Sequence, residues 1–427
     1  MLGSESKLTK NRAWFWPIYI LLLLSVTLLG TEVIASFFVP PWPAREVRPI
    51  SVELSQGSVA ASILGSRGLL PTYNDWGMRD RPRSFVRPPD VHFRSVLVGD
   101  SFLEGPYVPA PLPTLIERRW VEQGRLGLEA INLGVSATGP RQYYYRTKHF
   151  GIRLQPDVVM LFVYSGNDFI SKSLGDFEVP ALAEELPVPS ILGAVAPRTT
   201  WLIVNRLGLS EIGRNNKDIP GEFEKLNEWA NLPASERMER VVSHMKKYYF
   251  PTMREDTIRE VLSRGDGRLW TAVQDRGEFV AGWLLYSVID WETGQWDVPS
   301  DAEEAHQMVD VPTIEATLSW LVGAGQIAKA NSAQFVVALV PVGLVDPKYV
   351  DFWRPWPRYF SYNLSSDARH KRLSAALRQQ RIRLIDLRED LDGVSGTYRL
   401  TDGHWTELGT QIVADRVSRE LLNSSAR

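Results

Sequence analysis

Apolar residues along the chain form one long run near its start and several short runs further on. Residues 13–30 carry no charged side chain, whereas the later runs are shorter and rich in Val, Ile and Leu. At about 1.5 Å per residue, a helix of this length nearly crosses a hydrocarbon core of about 30 Å. The first run therefore predicts a transmembrane anchor, which we place at 13–39 because the segment VIASFFV extends it beyond Glu32.

The charges that flank this run predict its orientation. Lys7, Lys10 and Arg12 outnumber Glu5 before it, and an excess of Lys and Arg favours the cytoplasmic side. We expect residues 1–12 to form a cytoplasmic tip of a single-pass plasma membrane protein whose remainder is periplasmic or extracellular. A cleaved signal peptide is the alternative, but its apolar region is about 7–15 residues long and precedes a small-x-small site. No convincing site of that kind follows here.

The shorter apolar runs alternate with helix-length segments. Strands are predicted at 95–99, 130–133, 156–166, 334–341 and 382–387, and helices at 111–125, 140–154 and 312–332. Alternating strands and helices favour a parallel sheet covered on both faces. The predicted fold class is therefore α/β, a three-layer open parallel sheet built from 71–170 and 311–427. The Pro-rich segment before it, 40–70, is interpreted as a linker.

One gap interrupts this alternation. About 165 residues separate Asp168 from the strand at 334, whereas a crossover between parallel strands needs about a dozen. We infer an insertion at 171–310, with an amphipathic helix near 222–247. The run FVAGWLLYSVIDWETGQWDV predicts two strands joined by a turn at ETGQ, so that the insertion is expected to be mixed α/β.

Composition excludes several kinds of chemistry. The 48 Lys and Arg residues nearly balance 50 Asp and Glu, which argues against a broadly basic nucleic-acid binder. The absence of Cys removes disulfides, thiol nucleophiles and Cys-ligated zinc. GxSxG, P-loop and HExxH motifs are also absent, and no metal or cofactor is expected. The segment GAGQIA at 323–328 resembles a dinucleotide fingerprint, but we interpret it as helix interior because too few residues separate it from the next strand.

Three polar motifs follow or flank the predicted strands. Gly99-Asp100-Ser101 comes directly after a strand, at the edge where open α/β sheets bind ligands. Asp402-Gly403-His404 precedes the last helix, and its carboxylate can orient an imidazole that takes the proton of a serine. Gly166-Asn167-Asp168 ends the third strand, where an amide can donate to an oxyanion. Each motif alone also fits an ordinary cap or turn.

These motifs, with the small-residue loop GVSATGP after the second strand, resemble the SGNH/GDSL hydrolase superfamily in content and order. The upstream segment Asn74 to Arg79 is similar to the N-x-x-G-x-R segment of many bacterial members. The resemblance implies roles for the residues at the matching positions. Ser101 would be the nucleophile, His404 the base, Asp402 its orienting acid, and Asn167, the Ser101 N–H and the Ala137 N–H the oxyanion donors, with Gly134 or Gly139 as alternatives to Ala137.

The chain departs from the family pattern at the acid. The usual Asp-x-x-His spacing would place the acid at Thr401, whereas here Asp402 stands two residues before His404. This closer spacing resembles the polysaccharide O-acetyltransferase-like branch, which includes alginate acetylation proteins.

The expected function is that of an extracytoplasmic serine esterase or O-acyltransferase acting on an O-acylated, chiefly O-acetylated, glycan or related ester. Sugar rings could stack on Trp353, Trp356 and Tyr359, or on Trp283, Trp291 and Trp296 in the insertion, and the alternative is that these aromatics fill a core. Expected partners are the lipid bilayer, through 13–39, and envelope polysaccharide-biosynthesis proteins. A catalytically silent scaffold of the same fold is the competing function.

Overall fold

The structure is a computed structural model. It describes residues 5–37, 73–74, 76–136, 138–171, 196, 198–199, 219, 221–274 and 278–425, and the side chains of the first helix from residue 16 onward. The predicted linker at 40–70 and Ala137 lie outside the described residues.

The first helix, α1, comprises Glu5–Ala35. Its segment Trp16–Ala35 is long and apolar enough to cross a membrane, with a mean hydropathy of 2.2 over the best window. Its Leu and Ile side chains point outward and are exposed. Glu32, in the last turns, accepts hydrogen bonds from the backbone N–H groups of Arg198 and Thr199, which satisfy its carboxylate. The helix thus fits the predicted anchor, although it ends at Ala35 rather than at residue 39.

The sheet contains the five predicted strands. They are β1 (Phe93–Gly99), β2 (Leu128–Gly134), β3 (Val158–Tyr164), β4 (Gln334–Val340) and β5 (Arg383–Asp386). The order is β2-β1-β3-β4-β5 and every pairing is parallel. All seven residues of β1 are buried, as expected for a strand in the middle of a sheet covered on both faces. The α/β prediction is therefore confirmed.

Helices connect and cover the strands. They are α2 (Ser101–Glu104), α3 (Leu112–Glu122), α4 (Pro140–His149), α11 (Val311–Ala330), α12 (Pro347–Trp353), α13 (Pro357–Gln379), α14 (Arg388–Leu391) and α15 (Glu407–Ser425). A 3₁₀ turn, Gly151–Leu154, follows α4. Helix α3 packs on α15, and α4 packs on α11. The GAGQIA segment lies inside α11, as predicted, and Gly325 allows this helix to approach Phe335 of β4.

The described part of the insertion is helical, which corrects the mixed α/β expectation. Its helices are α5 (Glu222–Trp229), α6 (Ala234–Tyr248), α7 (Glu255–Ser263), α8 (Arg268–Gln274), α9 (Gly282–Thr293) and α10 (Ala302–Gln307). The single helix expected at 222–247 is two helices, and Pro233 caps the second.

The predicted hairpin is wrong, because α9 occupies its first strand and ETGQ is the end of that helix. Leu284, Leu285, Val288 and Ile289 are all buried, and this spacing places them on one side of a helix. A short apolar run with β-branched residues fits a buried strand or a buried helix equally well. Packing against the neighbouring helices decided between them.

Candidate active site

Ser101 lies at the carboxyl end of β1, where it begins α2. The Asp100 carboxylate caps this helix by accepting a hydrogen bond from the Phe102 N–H at 2.9 Å. Gly99 allows β1 to approach β3 closely, since a Cβ at this position would lie 3.0 Å from Cβ of Phe162. The local sequence thus fixes the serine at the edge of the sheet, where it is half-buried.

The structure brings Ser101, His404 and Asp402 into one hydrogen-bonded chain. His404 Nε2 is 2.7 Å from Ser101 Oγ, and His404 Nδ1 is 2.7 Å from Asp402 Oδ2. Serine and histidine are 303 residues apart in sequence. The geometry is that of a nucleophile, a base and an orienting carboxylate, each within hydrogen-bond reach of the next.

Gly403 makes the close spacing of the acid and base possible. Its φ of +75° lies in the left-handed region, which glycine adopts without steric cost. The Gly403 N–H donates to the Arg399 carbonyl at 3.0 Å, and the Arg399 N–H donates to the His404 carbonyl at 2.8 Å. This tight loop turns the Asp402 side chain back onto the imidazole. Thr401, at the family's usual acid position, is buried and donates its hydroxyl to Glu278 instead.

Aromatic rings enclose the imidazole. Phe102 stacks on His404 with a centroid distance of 4.9 Å, and Tyr107 packs on it at 5.0 Å. Burial lowers the pKa of His404, but the adjacent Asp402 carboxylate outweighs this effect, and the pKa is raised above its ordinary value. The ionised carboxylate thus favours the imidazolium that a general base forms when it takes the serine proton.

Two further carboxyl groups are buried beneath the site. Burial raises the pKa of Asp100 to about 6. Burial, followed by the charge of Asp100, raises the pKa of Asp168 well above its usual range. Asp168 accepts hydrogen bonds from the Tyr143 hydroxyl and the Tyr164 N–H, both at 2.8 Å.

The loop after β2 is held by Glu104. This buried carboxylate accepts hydrogen bonds from the Ser136 N–H at 2.7 Å and from the Tyr73 hydroxyl at 2.9 Å. The Gly134 N–H donates to the Asn132 side chain at 2.9 Å, and the Gly139 N–H donates to Gln142 at 3.1 Å.

These contacts argue against Gly134 and Gly139, the two alternatives to Ala137 as the third oxyanion donor. Because the N–H groups of Gly134 and Gly139 already have acceptors, neither is available to an oxyanion in this conformation. Ala137 remains a prediction, since it lies outside the described residues. Asn167 is exposed, three residues beyond the end of β3, at the sheet edge that carries Ser101.

The upstream Asn74–Arg79 segment supports the loop that follows α2. Buried Arg79 donates to the carbonyl groups of Gly105, Val108 and Pro109, with the Val108 contact at 2.7 Å. That loop and the C-terminal segment line a small cavity of about 10 Å³ beside the serine. Its lining residues are Ser101, Phe102, Gly105, Pro106, Tyr107, Val108, His404, Trp405 and Thr410.

Two of the residues expected to stack on sugar rings are in the core. Trp353 and Trp356 are 1% and 0% exposed, and their indole N–H groups donate to the carbonyl groups of Leu400 and Val261. Tyr359 packs on Trp353 at 4.7 Å. The stacking prediction for these two tryptophans is therefore wrong, because both side chains are buried; Trp356 packs against the insertion at Val261 and Gly265.

The insertion carries exposed aromatic residues. Trp283 and Trp296 are 49% and 50% exposed, and Trp291 stacks on Trp296 with a centroid distance of 5.8 Å. Arg358 holds the segment 291–296 by donating hydrogen bonds to the carbonyl groups of Trp291, Gly294 and Trp296.

Sequence reasoning missed several residues that shape the site. Glu104 stands three positions after Ser101, a spacing that places both on one side of a short helix, but nothing in the sequence indicates its contact with Ser136. No local sequence pattern indicates that Tyr107 and Glu278 lie near the site. His370 is buried between the Ser165 hydroxyl at 2.7 Å and the Asp386 carboxylate at 2.8 Å. Among the described residues, no group of three or more His, Asp or Glu is placed to hold a metal ion.

Comparisons with known proteins find remote similarity to solved structures. No protein-family profile matches the chain, and no curated protein matches it. A lipase/acylhydrolase from Enterococcus faecalis has 12% identity and a TM-score of 0.34 over 77% of this chain and 95% of that one. A GDSL-like lipase from Bacteroides thetaiotaomicron has 10% identity and a TM-score of 0.32 over 79% of this chain and 92% of that one.

The observed parallel sheet, with Ser101 at the end of its first strand, is the architecture that the sequence resemblance predicts. The chain has an α/β fold with a five-stranded parallel sheet, and its membership of the SGNH/GDSL superfamily stays a prediction from the sequence motifs. At these identities and TM-scores the similarity carries neither the fold nor the function, and the function is inferred below from the residues of the site.

Proposed function

We propose that this chain is a serine esterase of the SGNH type. Ser101 Oγ attacks an ester carbonyl while His404 Nε2 takes its proton, and Asp402 holds the imidazole through Nδ1. The tetrahedral oxyanion accepts hydrogen bonds from Asn167 and backbone N–H groups. His404 returns the proton to the leaving alcohol, an acyl-Ser101 ester forms, and water activated by His404 then releases the carboxylic acid.

The observation that carries this proposal is the hydrogen-bonded chain from Ser101 to Asp402. Both contacts of His404 are 2.7 Å long. A structural N-cap serine would not need a histidine on its hydroxyl, and a surface histidine would not need a buried carboxylate on its other nitrogen. The raised pKa of His404 also supports a base that is stabilised in its protonated form.

The size of the cavity supports a short acyl group. The cavity beside Ser101 and His404 has a volume of about 10 Å³, which is room for about one water molecule and far below the volume of about 300–1,000 Å³ of pockets that hold larger ligands. Half-buried Tyr107 and buried Trp405 line this space. We therefore favour acetyl esters over long-chain lipids as substrates.

Transfer of the acetyl group to a sugar hydroxyl is the second candidate activity. The spacing of Asp402 and His404 favours it, because it resembles the O-acetyltransferase-like branch. Transfer would use the same acyl-enzyme and replace water with the hydroxyl. The exposed Trp283 and Trp296 could bind such a glycan, and envelope polysaccharide-biosynthesis proteins would be its partners.

We place the catalytic domain outside the cytoplasm. The apolar segment of α1 supports a membrane anchor, and the basic residues before it support a cytoplasmic N-terminus. Protease added to intact spheroplasts should then digest the catalytic domain. Protection of the domain until the membrane is dissolved would contradict this orientation.

The proposed activity is tested with the full chain in detergent micelles. We expect the wild type to hydrolyse a chromogenic acetyl ester and to be labelled by a fluorophosphonate, and Ser101→Ala to do neither. Adding an oligosaccharide acceptor separates hydrolysis from transfer, because transfer yields an acetylated sugar. Full turnover by Ser101→Ala would contradict the nucleophile assignment, and an inert wild type would favour the silent scaffold.

A further inference from the structure

The insertion contacts the loop that carries the acid and the base, and the carboxylate of Glu278 makes most of the hydrogen bonds between them. Its Oε1 accepts a hydrogen bond from the Leu400 N–H at 2.9 Å. Its Oε2 accepts from the Thr401 hydroxyl at 2.8 Å and from the Thr401 N–H at 3.2 Å. The side chain of Glu278 is 14% exposed. Both oxygens are therefore bound to the residues that directly precede Asp402.

Glu278 also faces a buried cation. The Arg399 guanidinium lies between two carboxylates, with Nη2 3.9 Å from Glu278 Oε2 and Nε 3.7 Å from Asp402 Oδ2. Its side chain is 5% exposed, and it packs over the rings of Tyr107 and Phe279 at 5.0 and 5.4 Å. A buried cation attracts nearby carboxylates strongly, because little water screens its charge.

Two positively charged or proton-donating groups, His404 and Arg399, compete for the carboxylate of Asp402. Asp402 must keep its carboxylate on His404 while the guanidinium of Arg399 lies nearby. Glu278 supplies a second negative charge for Arg399 and acceptors for the backbone of the loop. Removing it would leave Arg399 to pair with Asp402 alone and would free the two N–H groups that fix the position of the loop.

We propose that Glu278 is a positioning residue, through which the insertion holds the Arg399–His404 loop in its reactive geometry and neutralises Arg399. This inference rests on the proposed function of Ser101, His404 and Asp402. It gives the insertion a role at the reaction centre, although the insertion lies outside the segments that resemble the family.

The inference is tested with Glu278→Gln and Glu278→Ala in the full chain in detergent micelles. The amide retains an acceptor but loses the charge, and alanine loses both. Glu292→Gln is the matched control, since Glu292 is also a buried carboxylate of the insertion that accepts a backbone N–H, that of Tyr359, and pairs with Arg264. It does not contact the loop of His404.

We expect Glu278→Gln to lower kcat by about 10–100-fold, since small misplacement of a catalytic group has effects of this size. The acidic limb of kcat/KM should also move to lower pH, because Arg399 then acts on His404 without its second counter-charge. The other groups that act on this imidazole are Asp402, Asp100 and Tyr107, and they are unchanged. Glu292→Gln should reduce thermal stability and leave the limb in place.

Hydrogen exchange tests the contact between Glu278 and the loop without requiring catalytic activity. The amides of Leu400 and Thr401 should exchange at least 10-fold faster in Glu278→Ala, and the C2–H exchange of His404 should report a lower midpoint in Glu278→Gln. Unchanged exchange in both variants would overturn the inference, as would an equal shift in Glu292→Gln. An inactive wild type with altered exchange in the Glu278 variants would overturn the proposed function and retain the contact of Glu278 with the loop.

Discussion

Asp402 Oδ2 lies 2.7 Å from His404 Nδ1 although only one residue separates them, because Gly403 between them has a φ of +75°. We predict that Gly403→Ala lowers kcat at least 10-fold. A Cβ at this position meets only the Tyr349 hydroxyl at 3.6 Å, so the effect would come from backbone strain of about 1–3 kcal/mol. Gly393→Ala is the control, because Gly393 has a φ of +79° with open space around it. Equal kcat in both variants and the wild type would contradict this account.

Removing the negative charge of Asp402 should lower kcat more than the backbone strain of Gly403→Ala does. We predict that Asp402→Asn lowers kcat by about 10³–10⁴-fold, the effect of losing the carboxylate that sets the tautomer of a triad histidine. Steady-state kinetics with an acetyl ester measures it. Adding Thr401→Asp to this variant should not restore activity, because the side chain of Thr401 faces Glu278 and the new carboxylate would face a like charge. Recovery of turnover in the double variant would show that the loop can rearrange.

The pH dependence follows from the raised pKa of His404. A general base works only when neutral, so kcat/KM should fall as the pH drops through this pKa, at a value above the ordinary pKa of about 6.5. Asp100→Asn removes a negative charge that raises the pKa of His404, and should move the acidic limb to lower pH. A pH–rate profile of both proteins provides the measurement. A limb that stays in place in Asp100→Asn would contradict this assignment.

Asn167 should affect the transition state more than substrate binding. We predict that Asn167→Ala lowers kcat by about 10²–10³-fold with little change in KM, as expected for a donor that binds the oxyanion rather than the ester. Asn331→Ala, at the end of α11, provides a control at an asparagine remote from Ser101. A rise in KM with constant kcat would instead assign Asn167 to ground-state binding.

The buried and exposed tryptophans should respond differently to substitution. Trp353→Ala should destabilise the protein by about 3–5 kcal/mol, because it leaves a cavity and an unpaired Leu400 carbonyl in the core. Trp283→Ala should leave the free energy of unfolding within about 0.5 kcal/mol of the wild-type value, since the side chain of Trp283 is 49% exposed. Thermal unfolding separates the two cases, and oligosaccharide binding by Trp283→Ala tests the proposed glycan surface.

Some features of the molecule follow from short stretches of sequence. The uncharged run of α1, the five apolar strands and the glycine after β1 are local patterns, and the structure forms the elements they predict. Ser101 and Asp402-Gly403-His404 were found in the same way, because their chemistry requires particular residue types at the ends of elements. The parallel order of the strands then brings residues 101 and 404 to one edge of the sheet.

Other features depend on contacts between residues far apart in the chain, and only the tertiary structure decided them. The sequence does not show that Glu278 binds residues 400 and 401, that Trp353 and Trp356 are buried, or that the N–H groups of Gly134 and Gly139 already have acceptors. The apolar run of α9 fits a strand or a helix until its neighbours are present. Hydrophobic pattern and glycine placement thus determined the sheet and the reactive residues, whereas burial and hydrogen-bond satisfaction determined which residues support them, because both depend on the packed neighbours of each group.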